Sequence, residues 1–418
     1  MSHVPGNSSA RPFPPHQPVR SPYGTPDHPL TPKRRRARGL GMLGGILLSS
    51  LAIAVTAIVG EHLTAPVPDI AIHSGIGFAV HGSEELALVP YDRNGSGGLI
   101  ASMRHDMFEV RLAAVELSTG DTKWDVALAD GRPWPVAVLA AGDHFAYVST
   151  DNGLMILDLA DGGTVVEPGE VPGLERSRAL PGAAYGFDPA LNAVVALDVD
   201  GGVHVLPLDA LEAEPADAAT TATWSGVLFA EGSAPDIGGM TSTEALLADG
   251  ESTVRLEPTA DGALGGSLVY DGPDGERALG AKVFYGAGIV LDQTSPFASF
   301  EVGIDVDALI AEFLEDPGAA SEDLWTGFGN SAVGAGTGHV LVEHQPEPAV
   351  DAYALHVVDL GTGRVTASTA TGSRLGRALV SPGGYTAVIA APEGSFWLAD
   401  LVLVAPGGSI ERVEIGRP

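Results

Sequence analysis

Residues 111–128 read RLAAVELSTGDTKWDVAL. Apolar and polar side chains alternate as far as Leu117, the chain turns on Ser-Thr-Gly-Asp, and a second alternating stretch carries Trp124. Alternation with a period of two is typical of a half-buried β-strand, and Gly and Asp are typical of the turns that join such strands. The stretch therefore predicts a β-hairpin, which is either a single feature or one copy of a repeat.

The same pattern, apolar–acidic–apolar followed by a Gly or Asp turn, recurs along the chain. Aligned on the last apolar residue before the turn, the copies lie at Leu117, Leu159, Leu208, Leu256, Val306, Leu360 and Val404, at intervals of 42 to 54 residues. Seven units of this length, each of about four strands, predict an all-β fold, a β-propeller of seven four-stranded blades. Four of the turns are degenerate, so six or eight blades stay open as alternatives.

Three copies also resemble the repeat of a known family. The opening stretch and HFAYVSTDNGLMILDLADGG (144–163) are similar to the repeat of the pyrroloquinoline-quinone (PQQ)-like β-propeller superfamily, an apolar strand followed by Ala-x-Asp-x-x-Thr-Gly and Trp. The copies that match best are Leu112–Leu128, Phe145–Gly163 and Tyr353–Thr366. The resemblance covers most of residues 75–418 and implies an architecture. A tail, one anchor and such a propeller together resemble envelope proteins of actinobacteria.

An uncharged segment of twenty-two residues, 39–60, precedes the repeats. About twenty apolar residues in a helix span a bilayer core, so the segment predicts a transmembrane helix. KRRRAR (33–38) lies before the segment and Glu61 follows it, which places the N-terminus in the cytoplasm and the C-terminal domain outside. A cleaved signal peptide is disfavoured by the 38 preceding residues and by the poor cleavage pair Ala57 and Val59, and a buried soluble helix by the unbroken apolar run.

Charge and composition divide the chain further. Residues 1–60 carry seven Lys/Arg and one acid, a formal charge of +6, whereas the other residues carry 15 Lys/Arg and 52 Asp/Glu, a charge of −37. An acidic body repels phosphate backbones, so nucleic acid is not an expected partner. We predict a disordered Pro-rich basic tail (1–38), the membrane helix, a linker (61–74) and an extracytoplasmic propeller (75–418).

The PQQ-like resemblance implies a test for chemistry. Quinoproteins of that superfamily hold PQQ between a tryptophan and a ring of adjacent cysteines, and this sequence contains no cysteine. No calcium-ligand or base position of the family matches a residue here, so no cofactor is expected. Trp124, Trp224 and Trp325 each follow a repeat turn, where we expect them to seal one blade against the next rather than to stack on a ligand.

One loop resembles a calcium loop. Asp92, Asn94 and Ser96 supply oxygens at positions one, three and five, followed by Gly97, but the twelfth position is Met103 rather than Glu. An ordinary hairpin loop prefers the same residue types, so a metal site at these three residues and a plain loop are both possible from the sequence. The segments 198–202 and 149–153 are predicted to be hairpin turns, and the acidic stretch 209–218 an exposed loop.

The histidines form no metal motif in the sequence. His339 and His344 flank a predicted strand, and their odd separation of five places them on opposite faces. Histidines elsewhere in the body are predicted to be single. The motifs of serine hydrolases, zinc proteases and phosphate loops are absent from the sequence.

These observations favour a non-enzymatic propeller that binds a protein or a cell-envelope component. The alternative is an enzyme, either a degenerate quinoprotein or a hydrolase with its site at the mouth of the central channel. A sensor that relays binding to the tail is the third hypothesis, and the tail contains no recognisable output domain.

Overall fold

The computed structural model describes residues 69–94, 108–130, 135–174, 184–225, 228, 240–259, 265–293, 331–348, 350, 352–392 and 398–416. All of them belong to one compact unit, Ala65–Pro418. The predicted tail and membrane helix lie outside the described residues. Within the described ranges, no helix combines the length and the apolar character that crossing a bilayer requires.

The first sheet contains the opening stretch and confirms that it forms a hairpin. Its strands are β1 (Asp69–Ile72), β2 (Gly77–His81), β3 (Glu84–Asn94), β4 (Phe108–Glu116) and β5 (Thr122–Asp130), all paired antiparallel. Strand β1 falls within the predicted linker (61–74). Ile70 and Ile72 are buried at alternate positions of β1, so this strand belongs to the domain.

The strands of the second and third sheets pair with their neighbours in chain order. The second sheet consists of β6 (Val136–Ala141), β7 (Phe145–Thr150), β8 (Gly153–Asp158) and β9 (Thr164–Val166). The third consists of β10 (Tyr185–Asp188), β11 (Ala193–Leu197), β12 (Val203–Pro207) and β13 (Glu214–Pro215), and a helix, α1 (Ala218–Trp224), follows it.

An eight-stranded sheet is formed by β14 (Thr241–Ser242), β15 (Glu244–Leu246), β16 (Thr253–Pro258), β17 (Gly265–Gly272), β18 (Gly275–Val290), β19 (His339–Gln345), β20 (Tyr353–Asp359) and β21 (Val365–Thr371). The last sheet consists of β22 (Ala378–Val380), β23 (Thr386–Ala390), β24 (Asp400–Val404) and β25 (Ile410–Glu414). The long strand β18 joins two sets of strands, because it pairs with β17 on one side and with β19 on the other.

The turns of the three close repeat copies share one hydrogen-bond pattern. The amide of the turn glycine donates to the carbonyl four residues earlier at 2.8–2.9 Å: Gly120 to Glu116, Gly162 to Asp158, and Gly363 to Asp359. These glycines have positive φ angles of 66–75°. An L-residue in that conformation costs roughly 1–2 kcal/mol, so the turn geometry explains the Gly of the repeat.

The last apolar residue before the turn also makes an equivalent backbone hydrogen bond in five of the copies. Its amide donates, at 2.7–3.0 Å, to a carbonyl within one residue of the start of the preceding strand, with which its own strand pairs: Leu117 to Glu85, Leu159 to His144, Leu208 to Asn192, Leu256 to Thr243, and Leu360 to Gly338. The degenerate copies at Leu208 and Leu256 therefore occupy the same place as the close ones, which confirms these five copies. Val404 ends β24, and Val306 lies outside the described residues.

The sheets pack against one another as a ring. Shared apolar clusters join the first sheet to the second, the second to the third, and the eight-stranded sheet to the last. The last sheet also packs on the first, because Leu401 and Val413 share a buried cluster with Ile70 and Val89. The amide of Ile72 donates to the carbonyl of Leu398 at 2.7 Å. The described contacts thus join the third, second, first, last and eight-stranded sheets in succession, and contact between the two ends of the chain is typical of a β-propeller.

Trp124 seals a sheet interface, as predicted, and Trp224 is buried in the cluster that joins the second and third sheets. Trp124 is 9% exposed in the cluster between the first and second sheets, and its Nε1 donates to the carbonyl of Leu159 at 2.8 Å. Trp224 is 4% exposed, lies at the end of α1 and donates to Asp188 at 2.8 Å. Trp325 lies outside the described residues.

Candidate functional site

The turns between the first and second strands of four sets lie at one end of the ring. In an up-and-down set these turns fall on the same side of every sheet. We call this side the turn edge and define it by residues 82–83, 142–144, 189–192 and 381–385. A cavity of about 290 Å³ opens there, lined by Phe78, Ala79, Val80, Ala141, Gly142, Asp143, Asn192, Leu208, Asp209 and Pro382.

Asp209 is the best-connected polar side chain of the cavity. It follows β12 in the third sheet, yet its carboxylate accepts hydrogen bonds from the amides of Asp143, His144 and Phe145 in the second sheet, at 2.9, 2.8 and 3.3 Å. Partial burial alone would raise the pKa of Asp209, but the three amide donors outweigh burial and lower it. At neutral pH the carboxylate is therefore ionised, and its oxygens accept the hydrogen bonds of the three backbone amides.

The cavity contains both described non-glycine residues that have a positive φ. Asn192 has a φ of 49° and Asp209 a φ of 65°. Asn and Asp tolerate this left-handed conformation better than other L-residues, because their short polar side chains hydrogen-bond locally. Backbone strain of this kind is concentrated at binding and catalytic sites, so its presence at two cavity positions favours a functional role for the turn edge.

The lining combines apolar contact area with few polar groups. Val80, Pro382 and Leu208 offer apolar contact area, and Asp143 is an exposed carboxylate at the rim. Asp209, the other carboxylate of the lining, is committed to backbone amides. Among the described residues of this cavity there is no histidine, serine or lysine that could form a nucleophile–base pair with Asp143.

The structure places two of the three candidate calcium ligands in a β-strand. Asp92 and Asn94 lie in β3 and not in a loop, with Asp92 opposite Val110 and Asn94 opposite Phe108 of β4. Asp92 Oδ1 is 2.8 Å from His73 Nε2. Pairing of β3 with both β1 and β4 as far as Asn94 explains why the strand continues through these polar positions. Ser96 lies outside the described residues, so a metal site there stays a prediction.

Two other polar segments are hairpin turns, as predicted. Asp198 joins β11 to β12, and its carboxylate accepts from the amides of Asp200 and Gly202 at 2.8 and 2.7 Å. The turn 150–153 joins β7 to β8. The acidic stretch 209–218 is mostly a connection, although it contains the two residues of β13.

The histidines of β19 point to different partners, as their spacing predicted. His339 lies 3.0 Å from the Thr337 hydroxyl, whereas His344 Nε2 lies 3.1 Å from Nε2 of His356 on β20. The prediction that the remaining histidines are single is wrong for His356. Strand pairing sets Val342 opposite His356, and His344 is the diagonal neighbour on the same face. The register of β19 against β20 would have revealed this histidine pair, and the sequence alone does not give that register.

No protein-family model matches the sequence, and no curated protein matches it at a significant level. Among solved structures, the apo AtxE2 isopeptidase is similar with a TM-score of 0.43 and 8% identity, over 84% of this chain and 53% of that chain. A protein assigned as TolB from Agrobacterium tumefaciens has a TM-score of 0.24 and 10% identity, over 69% and 83% of the two chains. A β-propeller domain from Myceliophteria thermophila has a TM-score of 0.24 and 11% identity, over 84% and 90%.

The chain spans about half the length of the isopeptidase structure that it matches. With TM-scores below 0.5 and identities near 10%, the propeller architecture rests on the sheet order and ring packing described above. The resemblance to the PQQ-like superfamily stays a prediction.

Proposed function

We propose that the protein is a membrane-anchored, extracytoplasmic binding module that holds a protein or a cell-envelope component at the turn-edge cavity, without catalysing a reaction. The observation that carries the proposal is the cavity itself. Its lining comes from the first, second, third and last sheets, which tertiary packing brings together from both ends of the domain sequence. Binding sites built from separate sheets in this way are typical of propellers.

The lining indicates the chemistry of the partner. Exposed Val80 and Pro382 favour an apolar side chain, and the Asp143 carboxylate favours a cation beside it. The charge of −37 outside the first sixty residues would also speed the approach of a basic partner. A protein segment that presents an apolar residue next to Lys or Arg fits these features best.

The wider proposal keeps three sequence-based predictions. Residues 39–60 would anchor the chain, with the basic tail in the cytoplasm and the propeller outside. The ring would have seven blades, of which the copy at Val306 lies outside the described residues. The PQQ-like resemblance would reflect shared architecture without the cofactor.

Site-specific photo-crosslinking in cells tests the binding site. Benzoylphenylalanine replaces Val80 in the cavity, and in the matched control it replaces Val199, which is 55% exposed in the turn at the opposite end of β11. We expect a discrete adduct from position 80 that position 199 does not give, and we expect Asp143→Lys to weaken it. Adducts of equal yield at both positions, or none at position 80, would contradict the proposal.

The enzyme alternative has its own test. The purified chain is mixed with PQQ and Ca²⁺, separated from free cofactor, and examined for bound PQQ absorbance. Turnover of sugar, alcohol and ester substrates is measured in parallel. Bound cofactor or turnover at enzyme-like rates would replace the binding module with a catalytic one.

A further inference from the structure

Lys282 lies beside two buried histidines, away from the turn-edge cavity. Its Nζ is 2.9 Å from Nδ1 of His356, and Nε2 of His356 is 3.1 Å from Nε2 of His344. His344 and His356 are 3% and 8% exposed, whereas Lys282 is solvent-exposed. Phe284 packs edge-on against His344 with 5.2 Å between ring centroids. The three polar side chains come from β18, β19 and β20.

The hydrogen bonds determine which ring nitrogens of this cluster donate and which accept. Nδ1 of His344 is 2.8 Å from the carbonyl oxygen of Gln345, so Nδ1 carries the hydrogen and Nε2 of His344 accepts. The donor to that Nε2 is therefore Nε2–H of His356. Nδ1 of His356 is then an acceptor, and Lys282 donates to it. Both rings are neutral in this arrangement. A further proton on His344 would place two hydrogens between the Nε2 atoms, and a further proton on Nδ1 of His356 would face the N–H of Lys282.

The environment of Lys282 differs from that of Lys123. Lys123 lies 2.9 and 2.8 Å from the carboxylates of Glu84 and Glu116, which raise its pKa. In the part of the chain that the structure describes, no ion pair includes Lys282. Although the residue as a whole is exposed, burial of part of its side chain lowers the pKa of Lys282. A larger share of Lys282 is therefore the free amine at neutral pH.

We propose that Lys282 is a nucleophilic amine that condenses reversibly with uncharged aldehydes, a covalent site separate from the turn-edge cavity. The nitrogen lone pair attacks the carbonyl carbon and gives a carbinolamine. Loss of the carbonyl oxygen with two hydrogens, as one water molecule, leaves the imine, and no oxidant or reductant takes part. His356 accepts one N–H of the amine and leaves its lone pair free for the attack.

The test compares the two lysines within one molecule. The full chain is incubated with benzaldehyde and cyanoborohydride, which reduces the imine to a stable amine, and peptides are quantified by mass spectrometry between pH 6 and 10. We expect the adduct at Lys282 to form several times faster than at Lys123 at pH 7, and its rate to level off at a lower pH, because the pKa of Lys282 is lowered whereas that of Lys123 is raised. Equal rates, faster reaction at Lys123, or no adduct at Lys282 would overturn the proposal.

A variant tests the role of the histidine. His356→Glu places a carboxylate beside the amine, so we expect the rate at Lys282 to fall to that of Lys123. Val199→Glu adds the same charge at a remote exposed position and should change neither rate. If thermal unfolding shows that His356→Glu does not fold, Lys282→Arg takes its place: it must remove that adduct and leave labelling of Lys123 unchanged. An adduct rate at Lys282 that is unaffected by His356→Glu in a folded protein would contradict the assignment.

Discussion

Asp209 shows how a single side chain joins two sheets at the candidate site. It lies after β12 in the third sheet and accepts three amides of the turn that precedes β7 in the second. Gly142 makes this approach possible, because a Cβ at that position would overlap the carboxylate. The same contacts that shape the cavity wall therefore also tie neighbouring sheets together.

Replacement of Asp209 separates its hydrogen bonds from its backbone conformation. Asp209→Ala leaves the three amides without their acceptor and places Ala at a positive φ, so we expect the free energy of unfolding to fall by about 2–4 kcal/mol. Asp209→Asn keeps one acceptor oxygen, and Asn tolerates the positive φ. We therefore expect this variant to lose about half as much free energy of unfolding as Asp209→Ala. Urea unfolding of both variants measures the difference. Equal losses would mean that the acceptor is unimportant.

The histidine pair makes stability depend on pH. Burial is the main reason why the pKa of His356 falls from 6.5 to about 4, and the charges of His344 and Lys282 add to it. The folded state therefore binds a proton less readily than the unfolded chain. The stabilisation is complete above pH 6.5 and is lost as the pH falls towards 4, by on the order of 2–3 kcal/mol.

Buried Glu343 acts in the opposite sense, because burial raises its pKa and its protonation is favoured in the folded state. We therefore expect the effect as a difference between proteins. His356→Gln cannot titrate and should lose less stability between pH 7 and pH 4.5 than the wild type, as measured by urea unfolding at each pH. Parallel pH dependence in the two proteins would show that the ring has an ordinary pKa.

At this scale the sequence predicted the orientation of His339 and His344 and the turn at Asp198. It did not predict the contact between His344 and His356. Spacing within one strand determines which face a residue occupies, but a pair across two strands depends on register, which is decided by the packing of the whole sheet.

Among the elements, the hairpin of the repeat is the unit that the sequence describes best. Its turn requires Gly at a positive φ, its apolar residue is tied to the preceding strand, and its tryptophan packs on the neighbouring sheet. Local turn chemistry and period-two burial are both properties of short segments, so even the degenerate copies at Leu208 and Leu256 were recognised.

The two described tryptophans should differ when their indole hydrogen bond is removed. Trp124 donates to the carbonyl of Leu159, a residue that is 1% exposed, whereas Trp224 donates to a partly exposed Asp188 that water can reach. We expect Trp124→Phe to lower the free energy of unfolding by about 2–3 kcal/mol and Trp224→Phe by about 1 kcal/mol. Thermal or urea unfolding checks the order, and a larger loss at Trp224 would contradict it.

Polar residues within a strand misled the prediction for Asp92 and Asn94. Their side chains are typical of loops, but β3 is paired on both sides, with β1 and β4, as far as Asn94. Partners that lie far away in sequence supply the hydrogen bonds that extend the strand. Propensity at single positions does not contain that information.

The whole molecule depends on the closure of the ring, and Arg377 is one of the residues that secure it. The side chain precedes β22 in the last sheet. Its Nη1 donates to the carbonyl of Ser74 at 2.8 Å, and its Nη2 donates to the carbonyl of Gln293 at 2.9 Å. One guanidinium therefore links the last sheet to the segment between β1 and β2 and to the segment after β18.

Loss of this link should weaken the fold more than loss of an exposed arginine. We expect Arg377→Met to lower the free energy of unfolding by about 2–4 kcal/mol, because two charge-assisted hydrogen bonds disappear. Arg377→Lys should recover only part of this free energy, since an ammonium cannot reproduce the planar pair of donors of the guanidinium. The control is Arg364→Met, at an exposed turn position, which should change stability by less than about 0.5 kcal/mol. Similar losses at Arg377 and Arg364 would show that ring closure does not rely on the guanidinium.

The amino-acid sequence by itself determined the class of fold, the hairpin repeat with its turn glycines, and the place of Trp124 and Trp224 at sheet interfaces. These features depend on alternation, turn chemistry and side-chain size, all of which act over a few residues. The tertiary structure alone decided which distant residues meet: Asp209 with the turn before β7, His344 with His356, and the first sheet with the last. Such contacts depend on strand register and on closure of the ring, because they join segments whose separation along the chain carries no local signal.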